Sequence, residues 1–332
     1  MAPSRIDSVN QCWRLAPPTN SGHQEYIRAD RIRQTLYAGF QADIQRWQLE
    51  RDDEQFLRLV TVGHLSGRAL LSNRAVRKYS AYAWIDAMLA ECQQHPDRER
   101  VWITIAWDSP LTWERAPNID TVSWRNIASQ HLRRCGLDGV GALEIDTWKE
   151  IAGEPGKRMV PHIHFLGWSK NGHKVNVKAL AQNMCKRRAL TNLLGAPSVV
   201  VKKVGQRAQD LATLGCYLSK PPAYAKNPIP NHVRSGFKLN QVKHASGSVA
   251  RLIEVLSYME IGDGIFSIGE GKSIAGAVRQ QVKEQCDRKH KAMPAPSRDM
   301  IARHWRRIRL TNGNRKFDDC NVITRADQRC ID

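Results

Sequence analysis

The sequence predicts an α+β fold, a central antiparallel sheet flanked by helices, with a helical extension before it and a basic extension after it. β-branched and aromatic runs bounded by turn residues supply the strands. Apolar residues at helical spacing fill the segments between them. The resulting order β, α, β, β, α, β, α is that of an antiparallel sheet with helices packed on it.

A polar leader with Pro17, Pro18 and Gly22 opens the chain. The segment from Tyr26 to Cys92 then reads as helical, with Ile32, Leu36, Phe40, Ile44 and Trp47 recurring at helical spacing. Within it Tyr82, Ile85, Met88 and Leu89 share one face of a run from Tyr79 to Leu89. Val101–Trp107 (VWITIAW) is a strand closed by Asp108, Ser109 and Pro110, and a helix is expected over Thr121–Cys135. Val140–Trp148 and Val160–Trp168 are strands flanking a turn rich in Gly153, Pro155 and Gly156. A helix over Val177–Leu190, a strand over Ser198–Val204 and a helix over Ala208–Lys220, stopped by Pro221 and Pro222, complete the domain. Beyond Ala223 helices are expected near Val249–Met259 and Asp299–Leu310. Three modules result: residues 1–96, 97–225 and 226–332.

The chain has 332 residues, 42% of them hydrophobic and 25% charged, a composition that can bury a core. Lys and Arg number 51 against 32 Asp and Glu, a formal charge of +19. Such an excess attracts polyanions, and nucleic acid is the usual partner. No apolar run is long enough to span a bilayer and the start lacks the apolar core of a secretion signal, so a cytoplasmic protein with no membrane partner is expected. The eight cysteines are scattered without a Cys-x-x-Cys pair, which disfavours a zinc ribbon or a disulfide framework.

His162 and His164 are two apart on a strand, so both imidazoles point to one face. Two adjacent buried imidazoles are costly without a metal or another polar partner. Glu144, on the preceding strand, reaches the pair if the two strands form a hairpin, and Asp146 competes for the same role. Two nitrogens and a carboxylate oxygen suit Mn²⁺ or Mg²⁺ with positions left for phosphate oxygens; the nitrogens also tolerate Zn²⁺. Tyr217 and Lys220 are three apart on a helix and share a face. A phenol is a poor nucleophile until a cation favours the phenolate, and Lys220 is placed to supply one. Taken alone, a Tyr-x-x-Lys helix is common.

In this order VWITIAW, PHIHFLG and YLSK resemble the strand, His-hydrophobe-His and tyrosine motifs of the HUH-endonuclease superfamily, and within it the rolling-circle replication initiators of plasmids and phages. The likeness covers Val101 to Pro222. It implies an HUH/RRM-like palm, with His162, His164 and Glu144 as metal ligands, Tyr217 as nucleophile and Lys220 as its electrostatic helper. The substrate implied is single-stranded or hairpin origin DNA. The product is a 5′-phosphotyrosine with a free 3′-hydroxyl for a polymerase.

The sequence departs from that pattern in two places. Tyr224 lies beyond Pro221 and Pro222, so a two-tyrosine relay on one helix is not expected, and termination calls for another protomer or a different nucleophile. GEGKS (Gly269–Ser273) ends like a phosphate-binding loop, but Phe266 stands where its first glycine is required, so a host helicase is implied. A transposase with the same site is a rival. A relaxase is disfavoured because its tyrosine usually precedes the histidines, and a non-catalytic basic repressor leaves the ordered motifs unexplained. Trp107, Trp113 and Trp168 are candidates for stacking on unpaired bases, with core packing the alternative for each.

Overall fold

The computed structural model describes residues 21–47, 51–62, 68–114, 117–149, 157–193, 196–230, 237–290, 308–311 and 314–317. The fold is α+β, a mixed central sheet flanked by helices. Three helices lead: α1 (Ser21–Trp47), α2 (Arg51–Val62) and α3 (Arg74–Gln94). Leu36, Phe40 and Ile44, one helical turn apart, bury the same face of α1. Asn73 caps α3 by accepting from the amides of Ala75 and Val76. Between α2 and α3 an isolated bridge pairs Leu70 with Glu260 and divides the expected helical segment. Among the described residues no helix is long and apolar enough to cross a membrane.

Next come β1 (Val101–Ile105), two short strands β2 (Thr112–Trp113) and β3 (Asn118–Ile119), and α4 (Thr121–Arg134), capped by Asp120. The long strands β4 (Leu137–Trp148) and β5 (Arg158–Ser169) form an antiparallel pair in register from Leu137↔Ser169 to Trp148↔Arg158. Then follow α5 (Val177–Cys185), β6 (Val199–Lys203) and α6 (Ala208–Ser219). Helix α5 ends at Cys185 rather than Leu190, because Leu190 turns inward and its carbonyl accepts from the Ser198 hydroxyl at 2.8 Å. After Pro221 and Pro222 come β7 (Ala225–Pro230), β8 (Phe237–Val242), α7 (Ser248–Leu256), α8 (Ile261–Gly264), β9 (Ile265–Ile268) and α9 (Gly271–His290).

The sheet runs β6-β1-β5-β4-β7-β8, with β2 also on β5 and β9 also on β4. An antiparallel sheet is the sequence expectation, and the structure corrects it. Trp148 pairs with Lys226 in parallel sense, since the chain returns to the β4 edge only after a crossover through β6 and α6. The sheet continues past residue 225, so the basic C-terminal segment contributes three of its strands. One buried cluster likewise joins Leu36 and Phe40 of α1 to Ile103, Phe165, Leu252 and Val282.

Of the helix expected at Asp299–Leu310, residues 299–307 lie outside the described residues. Ile308–Thr311 is a strand, β10, paired with β11 (Asn314–Phe317), which in turn pairs with β3. The sequence signal was the two-residue alternation of Ile308 and Leu310 together with Asn312-Gly313, a dipeptide suited to a tight hairpin turn.

The GEGKS segment forms the turn into α9. A side chain at Gly269 would strike the Asp138 carboxylate and one at Gly271 the Gly139 backbone. The Glu270 amide donates to Asp138 Oδ2 at 3.2 Å. These glycines allow close approach to β4, and an internal carboxylate takes an amide that a phosphate would need.

Candidate metal centre

The strand registers build the site. Glu144 on β4 stands opposite His162 on β5, and Thr104 on β1 stands opposite His164. Directly opposed residues share a face of the sheet, so these four side chains and Asp146 project to one side. Glu144 Oε2 lies 3.3 Å from His162 Nε2 and 3.3 Å from His164 Nε2. The three ligand atoms fall within 4.8 Å of one another, a group that could hold a metal ion. Asp146 Oδ2 is 3.9 Å from His162 Nε2 and belongs to no such group, so of the two acids Glu144 occupies the ligand position.

The outer partners orient both rings. His162 Nδ1 lies 3.2 Å from the Val160 carbonyl, an acceptor only, so Nδ1 carries a proton and Nε2 is the nitrogen aimed at Glu144, the one that a metal ion would take. His164 Nδ1 meets the Thr104 hydroxyl at 3.1 Å. Trp102, two residues before Thr104 and on the same face, stacks on His164 with centroids 5.2 Å apart. Thr104 is the polar residue of VWITI, and a polar residue on the alternation of a buried strand is the signal that could have marked it.

Electrostatics fit a cation here. Burial pulls the His164 imidazole down to about 4, the hydrogen bond to Glu144 opposing it only in part. For His162 burial also lowers, but the Asp146 and Glu144 carboxylates outweigh it and raise the ring above its ordinary value. Burial would raise Glu144, yet the hydrogen bonds from both histidines hold it well below the usual carboxylate range. Asp146 is raised by burial and by the neighbouring Glu144 charge. Glu144 Oε1 and Asp146 Oδ1 are buried without a hydrogen-bond partner among the described residues. A divalent cation would give these two buried carboxylate oxygens a partner.

Helix α6 brings the second group of residues. It crosses α3 at Gly215, where a side chain would come within 2.8 Å of the Ile85 Cα and the Trp84 carbonyl. Ala212 and Cys216 pack with Tyr26, Tyr82 and Ile85 of α1 and α3. That close contact fixes the last turn of α6 over the sheet. Tyr217 meets His164 edge to face at 5.4 Å between centroids and Trp102 at 6.0 Å. Lys220 Nζ lies 4.9 Å from the centre of the Tyr217 ring. Burial lowers the Lys220 ammonium, but Glu144 and Asp146 more than offset it, so it stays charged. Tyr217 is 37% exposed.

A cavity of about 460 Å³ takes in all five sequence-predicted site residues, Glu144, His162, His164, Tyr217 and Lys220. Lys226 and Leu239, from the β7–β8 hairpin, also line it, and no local motif in the sequence marks them. Tyr224 lines a different cavity. Trp107 and Trp168 are core residues, whereas Trp113 is 48% exposed. The described cysteines carry free thiols. Comparison with protein-family models, with curated proteins and with solved structures finds no match to this chain.

Proposed function

We propose that this chain is an HUH-type DNA-nicking enzyme, a single-tyrosine replication initiator acting on single-stranded or hairpin origin DNA. The observation that supports it most is the convergence of Tyr217 and Lys220 on the Glu144, His162 and His164 group across a single cavity, from elements remote in sequence. A mixed sheet with the histidine strand β5 at its centre is compatible with an HUH/RRM-like palm.

In this reading His162, His164 and Glu144 would hold Mn²⁺ or Mg²⁺, which supplies Lewis-acid polarisation of the scissile phosphate. The Tyr217 oxygen attacks phosphorus while its proton passes to water on the exposed side of the ring. A tyrosyl–phosphorus bond forms, and the bond from phosphorus to the 3′ oxygen breaks. That oxygen takes a proton from water and becomes the 3′-hydroxyl from which a polymerase extends, with a host helicase opening the duplex. Lys220 neutralises charge that builds on the phosphate in the transition state. Packing against Trp102 and His164 keeps the phenol at the site.

The test is incubation with a single-stranded origin oligonucleotide and Mn²⁺. A covalent protein–DNA adduct is expected, mapped to Tyr217 by mass spectrometry and lost in Tyr217→Phe. An adduct that survives the substitution overturns the proposal.

A further inference from the structure

Tyr224 does not share the metal-centre cavity, but it is the exposed aromatic of a second cleft, of about 640 Å³, just across Pro221 and Pro222. Lys220 lines one cavity and Ala223 the other, so their Cα atoms are at most about 11 Å apart. Ala38, Gly39 and Ala42 of α1 and Ala223 give its lining small apolar residues. Tyr224, 38% exposed, stands at the rim. Arg46 and Lys243, both exposed, add two positive charges to it.

Of the remaining polar groups of the cleft, Thr35, Asp43 and His244 are already committed, Thr35 by donating its hydroxyl to the Arg31 carbonyl, whereas the buried Ser246 hydroxyl has no hydrogen-bond partner among the described residues. Asp43, the acid in the lining, gives Oδ1 to the Gly247 amide and Oδ2 to the amides of Val249 and Ala250, capping α7. Its oxygens are taken by a helix N-terminus, and among the described residues no ion pair joins it to Arg46 or Lys243. His244 donates from Nε2 to the Pro222 carbonyl at 3.0 Å and accepts at Nδ1 from the Thr147 hydroxyl at 2.8 Å. It serves as a wall that fixes the Pro221–Pro222 ridge to β4. The groups left uncommitted are one aromatic face, two cations, the Ser246 hydroxyl and a set of small apolar residues.

We infer that this cleft holds a nucleotide of the single strand that passes the metal centre, its base stacked on Tyr224 and its phosphate between Arg46 and Lys243. An aromatic face flanked by cations is the combination that binds unpaired nucleic acid without regard to sequence. A duplex keeps its bases stacked on one another and offers no face to Tyr224. The inference rests on the proposed nicking function, which is what brings a single strand to the Pro221–Pro222 ridge.

The test measures binding of fluorescent oligothymidylates of about 6 and about 14 nucleotides, spanning the range of single-strand site sizes. The longer probe should bind about tenfold more tightly than length alone gives in Tyr224→Leu, and Tyr224→Phe should retain that gain. Replacing Arg46 and Lys243 by Ala should flatten the dependence of log affinity on log salt by about 0.7 for each cation removed. An Arg46→Ala and Lys243→Ala protein that keeps the full salt slope, or a Tyr224→Leu protein that keeps the full gain, overturns the inference. The same variant separates the two readings when its adduct with the origin oligonucleotide is measured. If the Tyr217 adduct forms and the gain is indifferent to Tyr224, the cleft is wrong and the nicking site stands. If no adduct forms on wild type while the gain depends on Tyr224, the nicking reading falls and the cleft remains a single-strand site.

Discussion

The β4–β5 pair and the C-terminal turn of α6 hold their site residues by different means. On the hairpin, Glu144, His162 and His164 are fixed by a continuous ladder of strand pairs and by outer partners at Val160 and Thr104. Tyr217 has no such ladder. Its position depends on the close crossing of α6 over α3 at Gly215 and on ring contacts with Trp102 and His164. The ligands are held locally and the phenol is held by tertiary packing, so the two can be perturbed separately.

The largest effect should come from the hairpin. His162→Ala removes one of the three candidate metal ligands and leaves the His164–Tyr217 ring contact in place, and Mn²⁺ affinity measured by calorimetry should fall by more than the roughly 10–100-fold that loss of an outer-shell partner costs. Helix α6 should be undisturbed, so oligonucleotide binding measured by anisotropy should stay near wild type, because it rests on many phosphate contacts. Equal loss of both would erase the distinction between the two regions.

Gly215→Ala acts on the other side of the comparison. The added methyl meets the α3 backbone, which cannot yield as a flexible side chain would, and overpacking of this kind costs about 1–3 kcal/mol. Denaturant unfolding should show that loss. The proposed nicking should drop while Mn²⁺ affinity is preserved, whereas His162→Ala loses the metal affinity itself. A variant that loses metal affinity in proportion would show that the two regions are not independent.

Acid provides the smallest and most diffuse perturbation. His164, His131 and His244 all have imidazoles lowered by burial, His164 to about 4. The unfolded chain therefore binds more protons than the folded one below about pH 6.5, and stability falls as pH drops through that range. His162 is raised and contributes in the opposite sense, its share of stability being lost as pH rises. The raised Asp146 opposes them too, and the three lowered imidazoles set the expected direction: metal-free protein should melt lower at pH 5 than at pH 7. A melting temperature that rises on acidification would mean that the histidines are not held neutral.

The same contrast explains what could be read from the sequence. His162 and His164 were legible because both lie in one strand, where a spacing of two dictates a common face. Glu144 against Asp146 was not decided by spacing, since both lie on the same alternation. Only the register placing Glu144 opposite His162 separates them. Tyr217 was legible through the ordered motifs, and the Gly215 contact that positions it joins residues 84 and 85 to residue 215. Lys226 and the Tyr224 cleft were not legible, because their neighbours come from segments distant in the chain. The strand at Ile308–Thr311 was missed because a short alternation was subsumed in a basic run.

The His244 clamp on Pro222 also has a mechanical meaning. Three residues beyond it the chain enters β7, where the Lys149 amide donates to the Lys226 carbonyl at 2.9 Å and Trp148 pairs with Lys226. Tension applied at Tyr217 therefore travels through a rigid diproline into the edge of a sheet strand. A pull is resisted by the hydrogen bonds between strands, which must shear before the chain can lengthen, so the segment from Tyr217 to β7 is short and stiff.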